Sequence, residues 1–112
     1  MKFDEIKDLF EKMLESINYI FENDFYSDKY SVPQIKDKVE KWYSEFNAKK
    51  TLTTISVDDL QFIDWEITEV FDIYFKHETS KSNYTERLLY DFSILERYWK
   101  DEMLGGNKNE WL

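Results

Sequence analysis

Residues able to break a chain into tight turns are almost missing: two adjacent glycines at 105–106 and a single proline at 33. A β-protein built from many hairpins needs such residues at each reversal, so the shortage argues against one and for a few long helices. Hydrophobic residues at 42% and charged residues at 35% leave enough apolar mass to offset ordering entropy. A chain of 112 residues fits one domain, 1–112, with no internal repeat or linker.

Four helices follow from apolar periodicity. Phe3, Ile6, Phe10, Met13, Ile17 and Ile20 recur three or four residues apart and predict a first helix from about Lys2 to Glu22. Leu9, Leu14 and Phe21 widen its stripe, and Lys7, Glu11, Lys12 and Glu15 fall opposite. Residues 23–32 read as a connection whose Phe25, Tyr26 and Tyr30 pack back on the bundle. Pro33 suits the first turn of a second helix carrying Ile35, Val39, Trp42 and Phe46, closed by Lys49 or Lys50. The β-branched stretch 51–56 reads as a short extended piece. Ser56 and Asp59 resemble a capping box that opens the third helix, and His77 closes it. After a loop at 78–83, Leu88, Phe92, Leu95, Trp99 and Met103 mark a fourth helix over about 84–104. Gly105 is its stop, and the following tail is polar except for Trp111 and Leu112. The expected fold class is all-α: a compact antiparallel bundle of about four helices.

Composition excludes several kinds of chemistry. Without cysteine there is neither a disulfide nor a thiolate nucleophile or metal ligand. The only histidine, His77, has no companion at metal-ligand spacing, and a serine hydrolase triad would have to be built on it. Both glycines lie in the tail, so no phosphate-cradling loop exists. Glu66-Ile-Thr-Glu69 lacks the histidine of a di-iron helix turn, and Glu96, Asp101 and Glu102 read as ordinary surface carboxylates. The Arg-x4-His signature of helical nucleases is absent: Arg87 meets Phe92, and Arg97 meets Glu102. The expectation is a non-enzyme with no cofactor, no metal and no catalytic residues. A net charge of −9 opposes direct nucleic-acid binding and an anionic membrane surface, and favours a basic protein partner. The N-terminus shows no signal-peptide run and no stretch reaches membrane-span length, so the expected location is the cytoplasm.

The charge is unevenly placed. Residues 51–75 hold six acids and no Lys or Arg, and therefore −6 of the −9. At 100° per residue, Leu60, Ile63, Ile67, Val70, Phe71 and Tyr74 share one core-width stripe. Asp58, Phe62, Trp65, Glu66, Glu69, Asp72 and Ile73 lie opposite, with Asp59 flanking them and Asp64 at the core edge. From residue 58 to residue 72 is about 21 Å along a helix, enough for one side of a protein interface. Acids around aromatic anchors fit a partner-binding face: the charges steer a basic protein in, and Trp65 and Phe62 slow its release. The competing reading packs Phe62, Trp65 and Ile73 on a second neighbour inside the protein, with bases from other helices neutralising the acids.

In size, charge and helix content the chain resembles bacteriocin and contact-dependent-inhibition immunity proteins. That resemblance implies an inhibitor of a bacterial toxin, of nuclease type because a phosphate-binding active site is cationic. It carries over no individual residue. One alternative is a phage anti-CRISPR or other anti-defence inhibitor. Its nucleic-acid-mimic version is disfavoured by 15 bases and by aromatics interrupting the acids. Another is a helical structural or assembly protein, although two-fold pairing through this face would oppose like charges and a monomer is expected.

Overall fold

Each apolar stripe becomes the inner face of a helix. The computed structural model describes residues 3–22, 32–76 and 81–104. It contains α1 (Phe3–Glu22), α2 (Val32–Lys49), α3 (Val57–Lys76) and α4 (Lys81–Met103). Ile6, Phe10, Met13, Ile17 and Ile20 of α1 meet Ile35, Val39, Trp42 and Phe46 of α2 in one core. Leu60, Ile63, Ile67, Val70 and Tyr74 of α3 join them, with Leu88, Phe92, Leu95 and Trp99 of α4.

The contacts at the helix ends give the topology. Phe3, at the start of α1, stacks on Phe46 near the end of α2 with ring centroids 4.9 Å apart. Tyr98, near the end of α4, donates to Glu5 at the start of α1 over 2.7 Å. The Trp99 indole donates to the Ile55 carbonyl just before α3 over 2.9 Å. The pairs α1/α2, α1/α4 and α3/α4 are therefore antiparallel, as a four-helix bundle requires. Of the four neighbouring pairs, α2 and α3 share the least contact. No described helix is long and apolar enough to cross a membrane.

Local chemistry sets the boundaries. Asp59 N–H donates to Ser56 Oγ over 3.1 Å, and Asp58 and Asp59 place negative charge in the first turn of α3. Lys50 ends α2 in the left-handed region at φ 58°, with its N–H on the Phe46 carbonyl at 2.8 Å. The cost of that conformation for a side-chain-bearing residue is offset locally: Lys50 Nζ donates to the Asn47 carbonyl at 2.8 Å and lies 4.3 Å from the Phe3 ring centroid.

Four expectations are corrected. Residues 51–56 are not extended: Ile55 N–H closes a turn on the Leu52 carbonyl, and Leu52 and Ile55 are buried. Their branched side chains serve as core plugs, not as strand residues. Helix α4 begins at Lys81, so Ser82 and Asn83 are helical, and buried Thr85 bonds back to the Ser82 carbonyl at 2.9 Å. Met103 is exposed, because the last turn of α4 runs past the core. Glu102 is no ordinary surface carboxylate: it accepts from Leu52 N–H at 2.7 Å and from the Thr51 hydroxyl at 2.9 Å. The expected packing of Phe25, Tyr26 and Tyr30 and the roles of His77, Gly105 and Trp111 lie outside the described residues.

Candidate functional site: the outer face of α3

Once α3 turns Leu60, Ile63, Ile67, Val70 and Tyr74 inward, its period carries Asp58, Trp65, Glu69 and Asp72 to the far side. Trp65 is 71% exposed and Phe62 is 43% exposed. Of the six large apolar side chains exposed among the described residues, four belong to α3: Val57, Phe62, Trp65 and Phe75. Such crowding on one helix is unlike the scatter of single apolar residues on an ordinary surface.

Among the described residues the indole of Trp65 has no hydrogen-bond or ring partner from another helix. Its Nε1 donates to Glu69 Oε2, one turn along its own helix, over 3.3 Å. Trp65, Thr68, Glu69 and Asp72 line a shallow depression of about 330 Å³. Thr68 is held by its hydroxyl, which donates to the Asp64 carbonyl at 2.8 Å. Among the described residues Asp58, Glu66, Glu69 and Asp72 make no ion pair, and neither does Lys76, one turn beyond Asp72. The packing alternative therefore does not hold for Trp65, and neutralisation by other helices reaches one acid of the set. That acid is Asp59, paired with Lys38 of α2 at 3.2 Å.

The flank facing α2 differs. Glu66 and Ile73 are half-buried rather than turned fully outward. Phe62 walls a groove of about 380 Å³ with Gln34, Asp37, Lys38 and Lys41. The flank facing α4 carries a like-charge approach. Burial first, and then the negative charge of Asp64, push Glu96 above the ordinary carboxylate range, against the pull of Lys100.

No family model, curated protein or solved structure matches this chain. The functional reading consequently rests on the chemistry of the face itself.

The structure brings Trp65, Glu69 and Asp72 into one depression and sets Phe62 in a separate groove beside Asp59. Asp58 stays exposed near the start of α3, and Glu66 and Ile73 are partly covered. Angular reasoning missed Thr68, whose position one turn from Trp65 is visible in the helical spacing. It also missed Gln34, Lys38 and Lys41, for which no sequence signal exists because their proximity to Phe62 is created by helix packing. A second concave region lies between α1 and α4, where Lys12, Glu15, Ser16, Arg87 and Asp91 enclose about 310 Å³. Burial raises the Asp91 carboxyl there, opposed by Lys12 and Arg87. Opposite charges are interleaved in this region, so it presents no field of one sign.

Proposed function

We propose that this chain is an inhibitory binding protein that docks a basic protein through the outer face of α3. Within that reading, the partner is a bacterial toxin of the nuclease type, and the chain is its immunity protein in the bacterial cytoplasm. The observation that carries the reading is Trp65, 71% exposed among carboxylates that have no ion-pair partner among the described residues. An exposed indole loses favourable burial as long as it stays in water, and a partner that covers it recovers that burial. Unneutralised acids around it accelerate encounter with a cationic surface. A nuclease presents such a surface because it must hold phosphates. The reading assigns no catalytic step to this chain. A phage anti-defence inhibitor would use the same face on a different basic protein, so the identity of the partner separates the two.

The test is comparative capture from the source cell. Wild-type protein and the double variant Trp65→Ala/Glu66→Lys are immobilised, and proteins held only by the wild type are identified. Nuclease activity of each is then assayed with and without the chain. The expected result is a basic protein lost by the double variant, whose nuclease activity the chain suppresses. Recovery of no basic protein, or equal retention by the two baits, overturns the reading. A tight homodimer at nanomolar concentration that buries Trp65 would favour an assembly protein instead.

A further inference from the structure

The depression on α3 has the chemistry of a receptor for one particular side chain. Trp65 lines it and is 71% exposed, and an indole is the aromatic that attracts a cation most strongly. At its rim are two carboxylates, Glu69 and Asp72, three residues apart on the same helix face as Trp65 and Thr68. The Trp65–Glu69 hydrogen bond fixes the ring against the carboxylate and occupies one oxygen of Glu69. The other Glu69 oxygen and both Asp72 oxygens are left as acceptors. Among the described residues they have no cation: neither acid is ion-paired, and Lys76 does not reach back to Asp72. Two negative charges beside an exposed indole therefore suit a positive, planar, multiply donating group.

We propose that this depression receives a single arginine side chain of the partner, with its guanidinium stacked on Trp65 and its N–H groups donating to Asp72 and Glu69. The inference rests on the binding-face reading above and names the residue on the partner that this part of the face recognises. A guanidinium suits the site better than an ammonium. It is flat enough to lie on the indole, it presents up to five donors in a fixed plane, and it sheds water more readily. Lysine offers a compact, strongly hydrated charge that cannot stack and bond to both carboxylates from one plane. Thr68, its hydroxyl hydrogen already given to the Asp64 carbonyl, lines the depression without competing as a donor.

The test needs no partner. The indole N–H resonance of Trp65, assigned by its loss in Trp65→Phe, is followed in the full chain during titration with N-acetyl-arginine amide. Parallel titrations use N-acetyl-lysine amide and N-acetyl-citrulline amide, the second matching arginine in shape without its charge. The expected result is a saturating shift with the arginine amide and binding roughly fivefold weaker with lysine. No saturation is expected with citrulline, or with arginine in Glu69→Gln/Asp72→Asn. Both substitutions lie on an exposed face, so the double variant is expected to fold; an unchanged far-ultraviolet circular dichroism spectrum checks this. Absence of a saturating shift, equal response to arginine and lysine, or an unchanged shift in the folded double variant overturns the inference. The two proposals fail separately. Arginine binding without any basic partner leaves the pocket and removes the inhibitor reading. A partner lost by Trp65→Ala/Glu66→Lys, with no arginine response, does the reverse.

Discussion

Two tryptophans separate the part of this molecule that is finished from the part that is open. Trp99 on α4 is 7% exposed, and its indole caps the Ile55 carbonyl in the α2–α3 connector at 2.9 Å. Trp65 on α3 is 71% exposed, and its indole reaches only Glu69 on its own helix. Around Trp99 polar groups of the connector are answered from α4. Glu102 takes the Leu52 N–H and the Thr51 hydroxyl, and Lys50 lies over Phe3. Around Trp65, Glu69 and Asp72 have no such answer among the described residues. The connector carries hydroxyls, amides and aliphatic side chains and the α3 face carboxylates and aromatics, yet both present polar groups that need partners. What differs is whether tertiary neighbours satisfy them, and the unsatisfied region is the one available to another molecule.

The largest test of this contrast is truncation of the two indoles. Trp99→Ala should destabilise the fold by about 3–5 kcal/mol, the usual cost of emptying a core aromatic site. Trp65→Ala should stay within roughly 0.5 kcal/mol, as an exposed substitution does. Urea unfolding of both variants measures the difference, and comparable losses would break the comparison. A smaller effect is expected at Glu102→Ala. It leaves the Leu52 N–H and Thr51 hydroxyl without their acceptor and should cost about 1–3 kcal/mol. Hydrogen exchange at Leu52 should quicken in parallel. Unchanged exchange would mean that the connector holds its shape without α4.

The smallest effect concerns Glu96, which burial beside Asp64 raises above the ordinary carboxylate range. The folded chain therefore keeps this proton at pH values where the unfolded chain has lost it. Stability should fall as pH rises from the ordinary glutamate value through the raised one, and the penalty persists at neutral pH. Glu96→Gln should thus stabilise the protein at pH 7, by under about 1 kcal/mol because the site is partly solvated and screened. Most of that gain should vanish in acid, where Glu96 is already neutral. Melting temperatures at the two pH values check the sign, and a destabilised variant at pH 7 would show that Lys100 outweighs Asp64.

The helices were legible because each depends on a short-range period. Ile6 to Ile20, Ile35 to Phe46, Leu60 to Tyr74 and Leu88 to Trp99 follow the 3.6-residue repeat that a buried face imposes. Ser56 and Asp59 announced the start of α3 because a capping bond is itself local. The 51–56 segment was misread because its β-branched composition speaks of strand propensity. Its actual conformation is set by the core beneath Leu52 and Ile55 and by residues some 50 positions away on α4.

By itself the sequence determined the helical class, the inner stripes and the outward angle of Trp65 among acids, since all three are properties of one helix at a time. Only the tertiary structure decided which outward groups remain open. It covered Glu66 and Ile73 in part, paired Asp59 with Lys38, and left Glu69 and Asp72 beside Trp65 with no ion pair among the described residues. The physical reason is that exposure and charge neutralisation depend on which helix lies alongside. That choice is made by packing between segments distant in sequence, and no helical period records it.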